Sequence, residues 1–168
     1  MNIEPFVTIQ KLKKDNITFI FLTVNKDVPT SLQWRMTIDD IKESLEYIKS
    51  DNGLFGFIMD VRKIGIISPN YIMEFVKLLS DYGPLLEEKL IATSVYTSSG
   101  SIIDVLFAIV KRFYKTKKPL KFVYTPEDAY KFIDENKNVI VKDRLDINNK
   151  LLPSELTEIE KNIDNSLR

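Results

Sequence analysis

Few residues in this 168-residue chain can do chemistry, because it contains no cysteine and no histidine. Thiolate nucleophiles, imidazole general bases and Cys/His zinc sites are excluded. Oxygen and lysine remain. Ser68 would act as a nucleophile only with a base beside it, and Lys63 is not placed to be one. Standing before Pro69, Ser68 reads instead as a helix cap. Asp60 ends an apolar run and, with Glu74, would give a carboxylate pair. The commoner role for such a residue is a hydrogen bond to a neighbouring turn. Ser98-Ser99-Gly100-Ser101 precedes an apolar segment, which suits a simple cap or an anion cradle. The longer Gly-rich pattern with Lys that marks phosphate loops is missing. No acidic loop of the calcium type appears, so neither a metal nor a cofactor is expected.

Charge and aromatic residues offer a second set of candidates. Lys111, Arg112, Lys115, Lys117, Lys118 and Lys121 form a run of six bases without an acid, interleaved with Phe113 and Tyr114. Such a run is either an anion-binding patch or a solvated helix end whose dipole favours cations. Lys plus Arg equals Asp plus Glu at 24 each, so the whole chain has no net attraction to nucleic acid or anionic membrane. Sequence-specific nucleic-acid binding is not expected. Trp34, with Leu32 and Met36, is read in a loop, either anchoring a partner or covering the core.

The elements that must position these residues follow from periodicity. Phe6–Lys13 and Ile17–Val24 read as a hairpin around Lys14-Asp15-Asn16, and Val28–Met36 as a loop around Pro29. A helix is expected from Thr37, with Asp40 three residues on and Ile38, Ile41, Leu45 and Ile48 on one face. Asp51-Asn52-Gly53 should stop it through a left-handed residue. Leu54–Val61 has the continuous apolarity of a central strand. Pro69–Tyr82 reads as a helix presenting Ile72, Phe75, Val76 and Leu79, ended by Gly83-Pro84. Leu90–Thr97 is the next strand. Ile102–Tyr114 is apolar nearly all round, as in a helix that is deeply buried or borders a partner or ligand. Leu120–Tyr124 is a short strand, and Thr125-Pro126-Glu127-Asp128 opens a helix lined by Ala129, Tyr130, Phe132 and Ile133. Val139–Val141 reads as an added edge strand, and Leu156, Ile159, Ile163 and Leu167 as one face of a further amphipathic helix. Alternating strands and helices imply an α/β fold with a mixed, mainly parallel sheet and helices packed against it. Residues 1–136 form the expected domain and 137–168 a C-terminal extension.

This order resembles the STAS domain family, which includes bacterial anti-sigma-factor antagonists and the cytosolic tails of sulfate transporters. A related set shares its topology with the CRAL-TRIO lipid-transfer fold. The resemblance spans about residues 6–136 and rests on the strand order, the Leu54–Asp60 strand, the Ser68-Pro69 helix start, and Leu120–Tyr124 followed by Thr125-Pro126-Glu127-Asp128-Ala129. Phosphorylatable members carry Asp-Ser-Ser-Gly where this chain has Ser68-Pro69-Asn70-Tyr71. Asn70 then matches the serine that takes phosphate, so the acceptor hydroxyl is missing.

Together these readings predict a non-enzymatic, regulatory STAS-like module, without the phosphorylatable serine, that binds a protein partner or a second copy of itself. The contact residues are expected at Ser68, Asn70 and Tyr71 and on the Ile102, Leu106, Phe107 and Val110 face. The alternative is a domain binding a lipid or other small apolar molecule near Ile102–Tyr114, with the basic run at the pocket mouth. No secretory signal and no apolar run near the ~20 residues of a membrane span is present, so a cytoplasmic location is expected.

Overall fold

Asp15 and Asn16 decide where the chain first turns back. Both adopt positive φ (50° and 62°), the left-handed conformation that Asp and Asn tolerate and that a two-residue hairpin turn requires. The turn sets the register Lys14↔Ile17 between β1 (Val7–Lys14) and β2 (Ile17–Val24), which pair antiparallel. This is the expected hairpin. The computed structural model describes residues 3–98, Asp104, Ala108 and residues 117–140.

The first helix, α1, spans Ser31–Ser50, six residues earlier than the expected start at Thr37. Thr30 is its N-cap: the Gln33 N–H donates to the Thr30 hydroxyl, and the Thr30 N–H donates to the Gln33 side chain. Leu32, Trp34 and Met36 are therefore helical, and Trp34 is buried. The Thr37 hydroxyl donates to the Gln33 carbonyl within the helix. At the far end no left-handed residue occurs, since Asp51 is extended (φ −86°) and Gly53 does not have positive φ. The Lys89 ammonium instead donates to the carbonyls of Ile48, Lys49 and Asp51. Gly53 is required for space, because a Cβ there would lie 2.6 Å from the Asn16 carbonyl oxygen.

β3 (Leu54–Asp60) lies parallel to β2 and leads into α2 (Pro69–Asp81). Gly83-Pro84 ends α2 as expected, but it also opens a short helix, α3 (Gly83–Lys89), since proline is tolerated in a first turn. β4 (Leu90–Tyr96) and β5 (Leu120–Val123) complete a five-stranded sheet of order β1-β2-β3-β4-β5, parallel throughout except for the hairpin. The expected mixed, mainly parallel α/β sheet is the one observed.

Strand alternation sends neighbouring side chains to opposite faces. On one face Ile20, Leu22, Val24, Phe55 and Phe57 share a core with Trp34, Ile41 and Leu45 of α1 and Ile72, Val76 and Leu79 of α2. On the other lie residues 126–133 of α4 (residues 126–140), whose start is capped by the Thr125 hydroxyl accepting from the Asp128 N–H. Tyr130 meets the rings of Phe19 and Phe21 at 5.7 and 5.6 Å, and the Ser94 hydroxyl donates to the Ala129 carbonyl. The helix includes Val139 and Ile140, so the expected strand does not form there; no glycine or proline interrupts the chain between Pro126 and Ile140. The fold above belongs to a unit ending at Ile133; Asp134–Arg168 form a second unit, of which residues 134–140 are described and are helical.

Candidate functional site

The β3–α2 connector gathers the residues singled out around Ser68. β3 ends on Asp60, half-buried, and pairing with β4 is extended by Val61 N–H donating to the Tyr96 carbonyl. Asp60 accepts from the Arg62 backbone N–H and from Nε and Nη2 of its guanidinium (3.2, 2.9 and 2.7 Å). The guanidinium also lies over the Tyr96 ring at 4.1 Å. Hydrogen bonding from Arg62 holds the Asp60 carboxyl below the ordinary Asp value, against the opposing pull of partial burial. Asp60 is thus a charged acceptor that ties down its own turn, and it is not poised to carry a proton near neutral pH. Glu74, its imagined catalytic companion, accepts instead from the Trp34 indole N–H at 2.8 Å.

Beyond Arg62 the connector is pinned to a second loop. The Gly65 N–H donates to the Asp27 carbonyl at 2.8 Å. A Cβ on Gly65 would stand 3.0 Å from that oxygen, so glycine lets the two loops touch. Of the next two residues, Ile67 is buried and Ile66 is 77% exposed. The Ser68 carbonyl accepts from the Tyr71 and Ile72 N–H groups and starts α2. Its hydroxyl makes no capping bond, so Ser68 holds the cap position without a side-chain cap. Ser68, Pro69 and Asn70 are exposed, and Met73, one turn beyond Asn70, is exposed on α2. Tyr71 turns the other way: half-buried, it stacks on Trp34 with ring centroids 4.9 Å apart and planes 13° apart. Two of the three residues expected at this contact face solvent, and the third bridges α2 to α1.

Other expected site residues fall elsewhere. Ile102, Leu106, Phe107, Val110, Lys111, Arg112 and Lys115 lie outside the described residues. Asp104 and Ala108, in the same stretch, are helical and exposed. Lys117 is exposed and Lys118 half-buried. Lys121, the last base of the run, lies over the Phe132 ring at 5.6 Å. Ser98 is exposed, while the rest of its Ser/Gly run lies outside the described residues. Ile66 was not singled out by sequence, and its one signal is an apolar doublet, Ile66-Ile67, in a connector too short to bury both. Among the described residues no group of acidic side chains could hold a metal ion, and no helix is long and apolar enough to cross a membrane.

No protein-family model matches the chain, and no curated protein does. Its fold does have a solved counterpart: an uncharacterized protein of the DUF3478 family from Shewanella loihica PV-4, with a SpoIIAA-like fold. The two are similar over 79% of this chain and 97% of that one, at 13% sequence identity and a TM-score of 0.56. The chain therefore has a SpoIIAA-like, STAS-like fold, as the order of its elements implies.

Proposed function

We propose that this chain is a non-enzymatic regulatory module that recognises a protein partner through the β3–α2 connector and the first turn of α2. The observation that carries this reading is Ile66, a large aliphatic side chain 77% exposed on a connector held in place by Asp60–Arg62 and Gly65–Asp27. An apolar side chain on a fixed backbone loses little conformational freedom when a partner covers it. Exposed Val28, beside Asp27, and Met73, on the Asn70 side of α2, supply more apolar surface, and Ser68 and Asn70 supply a polar rim. Asn70 has no hydroxyl to phosphorylate, so recognition here does not depend on phosphoryl transfer at that position. Asp60, Ser68 and Glu74 have structural partners or no base beside them, which favours recognition over catalysis.

A photo-cross-linking amino acid at position 66 tests the reading in extract of the source cells. It should yield one dominant adduct with another protein, weakened at least tenfold by Met73→Glu, while the same probe at Tyr130 on the opposite side should not. No adduct from position 66, or the same adducts from both positions, would remove the proposal. An adduct of the chain with itself would replace the foreign partner with a second copy.

A further inference from the structure

Under the same connector lies an apolar cavity of about 110 Å³ between α1, α2 and the C-terminal ends of β2 and β3. Its walls include Phe6, Trp34, Ile41, Ile64, Ile72 and Phe75, and it opens to solvent. Among the described residues of the lining only Thr37 bears a hydroxyl, and that hydroxyl already donates to the Gln33 carbonyl. The Trp34 indole N–H is likewise committed, to Glu74. A water held here would lack the two to four polar partners that ordered internal water needs. An apolar solute entering the cavity gives up no hydrogen bonds with the walls and gains dispersion contacts with them.

Three parts of the wall are held from outside, which opposes collapse of the space. Trp34 is held by Glu74 and by its stack on Tyr71. The segment bearing Phe6 is held by Asn25, whose N–H donates to the Phe6 carbonyl and whose side chain donates to the Pro5 carbonyl. The Gln33 side chain donates to the Glu4 carbonyl. The connector bearing Ile64 and Ile67 is held by Gly65 to Asp27. A void that packing would normally shrink is thereby kept open.

We propose that this cavity is a binding site for a small uncharged apolar molecule, about the size of one aromatic ring. Size follows from volume: an apolar cavity of about 150 Å³ takes one benzene, and this one, about 110 Å³ and open to solvent, is of the same order. Neutrality follows from the lining, which offers a charge no partner. The lining uses none of the Ile102–Tyr114 residues considered from sequence, and the site does not depend on a protein partner.

Trp34 is the chain's single tryptophan and stands in the wall, so its fluorescence reports occupancy directly. Bromobenzene, a contact quencher through its heavy atom, should quench the full-length protein along a saturating curve. 4-Bromobenzoate, equal in ring but charged, should require at least tenfold higher concentration. Met59→Phe and Ile64→Phe each add bulk to the lining and should weaken the bromobenzene curve at least tenfold while circular dichroism stays unchanged. If either variant misfolds, the other carries the comparison, and the neutral-versus-charged comparison needs neither. Quenching that rises linearly without saturation, equal response to both probes, or an unchanged curve in a folded filled variant would overturn the site. None of these outcomes bears on the cross-link from Ile66, so the two proposals fail separately.

Discussion

At Gly56 a hydrogen in place of a methyl group lets α4 reach the sheet. A Cβ there would stand 2.7 Å from Ile133 Cγ2 and 2.9 Å from its Cδ1, and Ile133 is fully buried. Cγ2 sits one bond from the Ile133 Cβ, and the buried side chain has little room to move away. Gly56→Ala is expected to cost about 1–3 kcal/mol through overpacking. Chemical denaturation measures the loss, and Gly56→Ala with Ile133→Ala should lose less than the sum of the two single changes. A simple sum would mean that the contact is not the cause. Thr97 is the opposite case. It is buried, and its hydroxyl finds no hydrogen-bond partner among the described residues. An unmade hydrogen bond on a buried group costs about 1–3 kcal/mol. Thr97→Val keeps the shape and removes the polar atom, so unfolding should move to higher denaturant. A shift the other way would reveal a partner for the hydroxyl.

Two threonines compete to start α1, each followed three residues later by a side chain able to complete a capping box: Thr30 with Gln33, and Thr37 with Asp40. Local pattern cannot choose between them. What decides is Trp34, whose burial among Phe6, Tyr71 and Glu74 requires helix from Ser31 onward. The same limit explains Ile66 and Ile67, equal as residues but opposite in exposure, since only the tertiary fold assigns one to the core. Asp15-Asn16 and Thr125-Pro126 were legible because their turn and cap chemistry is local. Ser68-Pro69 was legible as a helix start, yet the Ser68 hydroxyl makes no cap bond. A paired prediction follows. Thr30→Ala should destabilise by about 1 kcal/mol, as lost side-chain caps do, and Ser68→Ala should fall within about 0.5 kcal/mol of the parent. Thermal and denaturant unfolding of both variants would check this, and equal losses would contradict the assigned caps.

Across the whole molecule the parallel order was readable because strand–helix alternation admits few connections, whereas the cavity was not, since no periodicity announces a space that is left unfilled. Charge pairing between distant segments was equally hidden, and it governs how stability responds to pH. Tyr82, at the end of α2, donates to Glu46 of α1 at 2.6 Å. That bond lowers the Glu46 carboxyl below its ordinary value of 4.5 and, with some burial, pushes the Tyr82 hydroxyl up to about 12. Bonding from Lys13 lowers Asp51, and bonding from Arg62 lowers Asp60. Each lowered carboxylate contributes stability that is present above its unfolded value and lost as pH falls through its folded one. Asp40, raised by burial and then by Glu43 and Asp39, works against this loss. Tyr82 has the opposite sign from the carboxylates: its contribution is complete below its unfolded value of 10 and lost as pH rises toward about 12. With no histidine or cysteine, no side chain of ordinary pKa titrates between about pH 5 and pH 8. Stability should therefore run level across neutrality and fall at both ends. Tyr82→Phe removes one hydroxyl, and with it the largest cause of Glu46's shift and the titrating group of the alkaline limb, so it should flatten both limbs together. Unfolding free energy measured from pH 2 to pH 12 on parent and variant decides the matter. Two limbs left unchanged would mean that the Tyr82–Glu46 bond does not join α1 to α2 in solution.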